Sequence, residues 1–260
     1  ASNTLQNAET ANISTKPLLQ VFGLDQLDQS QFRDADGFFD YVEGVTVNSE
    51  NGFIFFPSPE PFGNDLVLDA SNPILTDKLD LDFGIETLFP FANYLFVGSS
   101  DGLYIYDISN PAQPVSASES KVDHFTACDP VVANANYAYV TLNSLRTNCG
   151  NIQEVNQMEI VDIQNIRFPN VVNIIQMQGP KGLGIDGNYL FVCEENEGVV
   201  VLDLTDPINP NKITTLSGFV ANDLIPDNGN LLLVCEDGLR QFDYSDINNI
   251  SFISFLDTND

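Results

Sequence analysis

Histidine is nearly missing from this sequence, and tryptophan is missing altogether. The 260 residues include one His, four Cys and no Trp. No two cysteines are spaced as Cys-x-x-Cys, so the usual zinc-ligand patterns are excluded. No apolar run approaches the ~18–20 residues that a membrane-spanning helix needs. The first residues have neither the charged start nor the apolar segment of a signal peptide, so none is visible in this sequence.

Basic residues are also scarce. Nine Lys and Arg stand against 37 Asp and Glu, which gives a net charge of −28. Phosphate backbones would repel such a chain, so nucleic acid is excluded as a partner. Cations and basic protein surfaces would be attracted to it. The same charge also suits a chain that is simply kept soluble in a salty or extracellular medium, and that interpretation stays open.

The strongest pattern in the sequence is self-similarity. Residues 93–111 contain Asn-Tyr-Leu-Phe-Val-Gly and, further on, Tyr-Ile-Tyr-Asp-Ile-Ser-Asn-Pro, and residues 188–207 repeat this arrangement. Fainter copies occupy residues 136–163, 230–246 and 52–73. One aspartate stands at the matching place in each copy: Asp69, Asp107, Asp162, Asp203 and Asp243. Successive copies are spaced by about 40 residues, except where an insertion around residues 143–156 lengthens one spacing. This period is typical of propeller blades.

The repeats predict an all-β fold, a β-propeller of four-stranded blades. No stretch sustains a helical apolar period, and short β-rich runs alternate with Asp-Gly, Glu-Gly and Asn-Pro turns. Each copy predicts an inner strand, a second strand apolar on both faces, and a third strand that ends on the shared aspartate, which we call the anchor aspartate. An outer strand such as 171–176 follows. We expect the anchor carboxylate to accept backbone N–H bonds in the turn, rather than to act in catalysis.

The motif Tyr-Leu-Phe-Val-Gly…Gly-Leu-Tyr-Ile-Tyr-Asp-Ile-Ser-Asn-Pro-Ala-Gln-Pro resembles the LVIVD-repeat family of β-propellers. The resemblance implies a secreted, periplasmic or cell-surface protein without an assigned activity. We expect five blades, with six as the alternative. The predicted repeats are 39–82, 83–122, 123–178, 179–217 and 218–258, within a propeller spanning 39–260. Residues 1–38 form a separate segment, in which 12–21 resembles the end of a repeat and is either a donated outer strand or the remnant of a blade.

Aligning the copies on a shared asparagine predicts a cluster of charges at one end of the propeller channel. The equivalent inner-strand residues are Glu86, Asp129, Lys181 and Asp223, and Glu43 joins them after a shift. Carboxylates are ligands for hard cations such as Ca²⁺, so the four acidic residues are candidate metal ligands. A solvated acidic rim with Lys181 as counter-charge is the alternative. The neighbouring loops add further acidic residues: Glu60, Asp65, Asp101, Glu154, Glu194, Glu195, Glu197, Glu236 and Asp237.

Two other residue types can carry chemistry. His124 is predicted beside the channel mouth, where it is either a general base or a polar rim residue. Cys193 and Cys235 are expected at one repeat position, in a small packing slot. Cys128 and Cys149 lie on an inner strand and in the insertion of the same copy, and a disulfide between them would suit an oxidising compartment.

Together these features predict a monomeric, non-enzymatic binding module that is secreted or attached to a cell surface. Its acidic channel mouth would meet cations or a protein or glycan partner. No catalytic residues and no cofactor other than Ca²⁺ are indicated. The alternatives are a metal-dependent hydrolase that uses the channel carboxylates, and a purely structural spacer domain.

Overall fold

A computed structural model describes residues 46–48, 53–57, 65–69, 75–79, 85–99, 102–110, 113–124, 130–143 and 155–257, with the backbone alone described in the first four ranges. All regular structure in these ranges is β-strand. No helix in them is long and apolar enough to cross a membrane. The prediction of an all-β fold is therefore confirmed.

The strands form five sheets. Their bounds are β1 (Thr46–Asn48), β2 (Phe53–Pro57), β3 (Asp65–Asp69), β4 (Leu75–Leu79), β5 (Ile85–Phe91), β6 (Tyr94–Ser99), β7 (Gly102–Asp107), β8 (Val115–Ser116), β9 (Val122–Asp123), β10 (Val131–Ala133), β11 (Tyr137–Asn143), β12 (Asn156–Asp162), β13 (Asn170–Gln176), β14 (Pro180–Asp186), β15 (Tyr189–Glu194), β16 (Gly198–Asp203), β17 (Asn211–Leu216), β18 (Ala221–Asp227), β19 (Asn230–Cys235), β20 (Gly238–Asp243) and β21 (Ser251–Asp257). Four sheets are four-stranded meanders in chain order: β1–β4, β10–β13, β14–β17 and β18–β21. These are the four-stranded blades of a β-propeller.

One sheet departs from the predicted four strands. Its order is β5-β6-β7-β8, and β9 also pairs with β7. The outer strand β8 has only two residues and covers Tyr106 and Asp107. The other end of β7 is therefore left for β9, which pairs with it at Gly102 and Leu103. Because β8 and β9 pair with the same edge of β7, they are two pieces of one interrupted outer strand. The described residues thus contain four complete four-stranded blades, rather than the five or six predicted.

The chain divides into two compact units. The first contains residues 1–97 and 105–117, and the second contains 98–104 and 118–260. In the first unit, β1 and β2 lie beside β5. In the second unit, the inner strand β14 lies beside β10 and β11 of the preceding blade and beside β18 of the following one. The three complete blades of the second unit therefore pack in chain order, with their inner strands adjacent.

The middle strands β15 and β16 of the β14–β17 blade are buried on both faces, which explains why they are continuously apolar. Five of the six residues of β15 are buried, and so are five of the six of β16. One core cluster joins this blade to the next and includes Phe191, Val201, Leu233 and Phe242. Neighbouring blades are also linked by Tyr139, whose hydroxyl donates a hydrogen bond to the carbonyl oxygen of Pro207 at 3.2 Å. Burial raises the pKa of Tyr139 to about 12.

The anchor aspartates form the turns that the sequence predicts. In four described blades the carboxylate accepts the backbone N–H two residues later, at 2.8–2.9 Å: Asp107 from Ser109, Asp162 from Gln164, Asp203 from Thr205 and Asp243 from Ser245. The hydroxyls of Ser109 and Thr205 donate to the same carboxylates. The predicted structural role of these residues is confirmed. The side chain of the fifth, Asp69, lies outside the described residues.

These turns predict a loss of stability in acid. Hydrogen bonds from the hydroxyl and backbone of the following Thr or Ser lower the pKa of Asp203 and Asp243. A carboxyl whose pKa is lower in the folded state stabilises it above the unfolded value of ~3.9, and that contribution is lost as the pH falls through the folded value. We expect Asp203→Asn with Asp243→Asn to flatten the fall of the melting temperature between about pH 4 and 2. An unchanged acid limb, matching that of the control Glu236→Gln, would contradict this assignment.

Two glycines allow the inner strands β14 and β18 to meet closely. A Cβ on Gly182 would lie 2.7 Å from the Cα of Asp223 and 2.9 Å from the carbonyl oxygen of Asn222. A Cβ on Gly184 would lie 2.6 Å from a methyl carbon of Leu224. Real Cβ contacts are longer, so a side chain at either position would force its neighbours to shift. The sequence Lys-Gly-Leu-Gly in β14 therefore sets the spacing between two blades.

Candidate functional site

The turns between second and third strands lie at the same end of the blades as the starts of the inner strands. In the β14–β17 blade, the N–H of Glu195 donates to the carbonyl oxygen of Gly179 at 3.0 Å. In the β18–β21 blade, the N–H of Glu236 donates to the carbonyl oxygen of Val220 at 3.1 Å. We call this end of the two blades the mouth end. Its described acidic residues are Glu194, Glu195, Glu197, Asp223, Glu236 and Asp237.

Glu194 belongs to the interior of this end and not to its acidic rim. Its side chain is 3% exposed. The carboxylate accepts the backbone N–H of Gln178 at 3.1 Å and that of Gly179 at 2.8 Å. It therefore fixes the chain where it enters β14. The prediction that Glu194 is a rim carboxylate is wrong, because two inward-facing N–H groups draw it into the structure.

The remaining acidic residues differ in how far they are neutralised. Glu197 pairs with Lys212 at 3.0 Å, and Asp237 accepts a bond of 2.7 Å from Arg240. The hydrogen bond from Arg240 lowers the pKa of Asp237. Glu236 is exposed and has no ion-pair partner among the described residues. The mouth end of these two blades thus retains negative charge facing solvent.

Lys181 is buried in the wall of the inner strands. It is 6% exposed, and its ammonium donates to the Oδ1 of Asn222 at 3.1 Å. Its backbone carbonyl oxygen accepts a bond of 2.8 Å from the Thr141 hydroxyl of the preceding blade. Lys181 therefore connects three consecutive blades near the mouth end.

Strand pairing corrects one equivalence that the sequence alignment predicts. Pro180 pairs with Glu194, and Ala221 pairs with Cys235. The residue after each of these inner-strand positions is Lys181 in one blade and Asn222 in the next. Asp223 therefore matches Gly182 and lies one residue beyond the position predicted for it.

The predicted carboxylate cluster is described only in part. Glu86 lies half-buried on β5, and Asp223 is exposed on β18. Glu43 and Asp129 lie outside the described residues. Within the described ranges, no three His, Cys, Asp or Glu residues come together as a metal site. A Ca²⁺ site built from these four carboxylates stays a prediction.

His124 follows β9 and lies against the end of β6. Its Nε2 is 3.0 Å from the carbonyl oxygen of Ser99. A carbonyl oxygen only accepts, so this nitrogen carries the proton and donates the bond. The ring of His124 is therefore hydrogen-bonded through Nε2 to the backbone at the end of β6. A role as general base stays a prediction.

The cysteines separate into two pairs. Cys193 and Cys235 are both buried and are not joined in a disulfide. Cys193 pairs with Val199, whereas Cys235 pairs with Gly238, the counterpart of Gly198. Cys235 thus occupies the repeat position of Glu194, and the prediction that the two thiols share one position is wrong. Cys128 and Cys149 lie outside the described residues, so their disulfide stays a prediction.

Sequence reasoning missed one buried carboxylate outside the mouth end. Glu159, on the third strand β12, is 5% exposed and accepts a bond of 2.8 Å from the Nε2 of Gln157. Burial raises its pKa. A glutamate between the apolar residues Met158 and Ile160 was the available signal.

Solved structures with the same fold place the chain among the β-propellers. A functionally unknown protein from Desulfotomaculum acetoxidans is 12% identical, with a TM-score of 0.64 over 84% of this chain and 72% of its own. The β-propeller domain of Cps50 (Swd1) from Myceliophteria thermophila is 10% identical, with a TM-score of 0.63 over 86% and 76%. AztD from Citrobacter koseri is 14% identical, with a TM-score of 0.60 over 85% and 65%. The chain thus spans less than two thirds of AztD, and at these identities the likeness concerns the fold alone.

Two stretches also match a known repeat. The LVIVD repeat is found at residues 92–120, which contain β6 to β8, and at residues 181–216, which contain nearly all of β14 to β17. The chain therefore carries LVIVD repeats, as the sequence motif predicts. No curated protein sequence matches the chain.

Proposed function

We propose that this protein is a non-enzymatic binding module whose mouth end attracts a positively charged partner or cations. The observation that carries the proposal is an acidic turn in each of two adjacent blades, with exposed carboxylates at Glu197, Glu236 and Asp237. Only two described cations, Lys212 and Arg240, pair with these turns. Each turn is hydrogen-bonded through its backbone to the residue before an inner strand, which lowers the cost of ordering it on binding.

The wider assignment rests on the repeats. We propose that the described sheets are successive blades, since all of them follow the same strand order along the chain. We further propose that the protein works outside the cytoplasm as a monomer. The scarcity of basic residues and the LVIVD repeats support this location, because a charge of −28 keeps a chain soluble among other surfaces.

Calcium provides a direct probe of the mouth end. Neighbouring carboxylates repel one another, and a divalent cation that binds only the folded state raises its stability, by ~2.7 kcal/mol at one hundred times its dissociation constant. We expect Ca²⁺ to raise the melting temperature more than Na⁺ does at equal ionic strength. Asp129→Asn with Asp223→Asn should abolish that difference.

A matched control removes the same charge elsewhere. Asp206 and Asp246 lie in exposed turns at the opposite end of the blades, so Asp206→Asn with Asp246→Asn should retain the difference between Ca²⁺ and Na⁺. General screening would act alike with either cation and would survive both pairs of substitutions. Equal melting temperatures in the two salts would rule out a specific cation site at the mouth end.

A further inference from the structure

The last blade exposes more apolar surface than any other described part of the chain. Ten large apolar side chains are exposed among the described residues, and six of them belong to this blade: Ile225, Val234, Phe252, Ile253, Phe255 and Leu256. Four of the six lie on the outer strand β21. All seven residues of β21 are exposed. The strand combines an apolar sequence with complete exposure, which is unusual for a soluble protein.

The other complete outer strands of the second unit are better covered. In β13 exposed and half-buried positions alternate, and Asn173 donates a hydrogen bond of 2.7 Å to the carbonyl oxygen of Ile208 in the next blade. In β17 four of the six residues are half-buried. In the described part of the chain, β21 is the last strand of its sheet, and its outer edge pairs with no other strand. A long apolar edge of this kind is a template for pairing with another strand.

The charge around β21 indicates the chemistry of a partner. Residues 221–257 include seven carboxylates and one arginine. Asp243 and Asp246 precede the strand, whereas Asp257 ends it, and Glu236 and Asp237 lie in the turn beside that end. The apolar edge is therefore flanked by negative charge at both ends. A partner strand with basic residues on either side of an apolar centre would complement it.

We propose that β21 binds an extended strand of another protein, with alternating apolar residues at its centre and Lys or Arg at its ends. Backbone hydrogen bonds along the free edge would supply the pairing. Phe252 pairs with Phe242, and Phe255 pairs with Arg240, so the two phenylalanines lie on the same face of the sheet. Leu256 lies on the opposite face. Alternate side chains of the added strand would cover both. This proposal is independent of the mouth end, since its surface is the outer edge of one blade.

A second copy of the chain fits this edge poorly. Pairing β21 with itself would bring two chains of charge −28 together and oppose the same carboxylates at each end. Like charges facing each other across an interface cost binding free energy. The surface therefore favours a basic partner over self-association.

The test uses a labelled synthetic peptide of alternating valine and threonine, with two lysines at each end, and the full chain. We expect binding by fluorescence anisotropy that weakens as salt rises, together with slower amide hydrogen exchange in residues 251–257. Ile253→Lys places a positive charge on the edge and should weaken binding about tenfold. Ile253 is exposed, so the variant should fold, and circular dichroism checks this.

Ile174→Lys is the matched control, because Ile174 is equally exposed on the outer strand β13. It should leave peptide affinity unchanged. Equal binding of a peptide with glutamates in place of the lysines would overturn the proposal, and so would equal weakening by the two lysine variants. A dimer in sedimentation that Ile253→Lys dissociates would also overturn it, in favour of self-pairing.

Discussion

Gly182→Ala should destabilise the second unit by about 1 to 3 kcal/mol, the usual cost of forcing extra atoms into a packed interior. The new methyl group would press on the Cα of Asp223 and the carbonyl oxygen of Asn222. Backbone atoms cannot rotate away as the end of a long side chain can, so the strands β14 and β18 would have to separate. Urea denaturation followed by circular dichroism measures the effect as a lower transition midpoint.

Gly187 provides the control for this substitution. It lies in the turn between β14 and β15 with a φ of +55°, and an added Cβ would meet nothing within 4 Å. Asparagine tolerates this backbone conformation, so Gly187→Asn should cost much less than Gly182→Ala. Equal midpoints for the two variants would show that the contact between β14 and β18 does not limit the packing of these blades.

Glu194→Ala should lower the free energy of unfolding by roughly 2 to 3 kcal/mol, the usual contribution of hydrogen bonds to a charged acceptor. The substitution removes both bonds that the carboxylate accepts and leaves the buried N–H of Gly179 without its acceptor. Glu194→Gln should fall between alanine and the native residue, because an amide retains one acceptor oxygen and brings a donor towards the second N–H group. Thermal melting of the three proteins gives this order.

The control for Glu194 is its exposed neighbour in the next blade. Glu236→Ala removes a carboxylate from the same end without removing a described side-chain bond, so its melting temperature should stay close to that of the native protein. A large loss in Glu236→Ala would mean that the net charge of this end, and not the two backbone bonds, accounts for the effect of Glu194.

Much of the fold could be predicted from the sequence, because short sequence patterns within each repeat determine the order of its strands. The apolar second strand, the anchor aspartate and the turn that follows are all short-range features, and the hydrogen bonds at Asp203 and Asp243 have the predicted form. The break in the outer strand of this sheet, where residues 117–121 separate β8 from β9, could not be predicted in this way. The repeat pattern specifies the order of the strands and not whether the outer strand is continuous.

The alignment error at the mouth end has a specific cause in two hairpins of equal length. Asp186 pairs with Tyr189 around Gly187 and Asn188, whereas Asp227 pairs with Asn230 around Asn228 and Gly229. In the first hairpin the glycine comes first, and in the second it comes last, where Asn228 and Gly229 both have positive φ values. Matching the asparagines therefore shifts the last repeat by one residue, which misplaces both Asp223 and Cys235.

Glu194 illustrates a different limit of sequence reasoning. The run Glu194-Glu195-Asn196-Glu197 contains three glutamates with similar local surroundings, and composition alone assigns all three to a solvated loop. Only the first meets two inward-facing N–H groups of the chain entering β14. That distinction depends on a contact between residues that are apart in sequence, so it appears only in the folded structure.

The anchor turns also determine how the protein responds to its surroundings. Their hydrogen bonds hold carboxyl pKa values low, and the whole chain has a single histidine, so few groups titrate between about pH 5.5 and 8. Burial raises the pKa of one described carboxyl, that of Glu159. The molecule therefore behaves as a polyanion of nearly fixed charge across that interval. Ionic strength and competing divalent ions, rather than acidity, would set how tightly the proposed cationic partner binds.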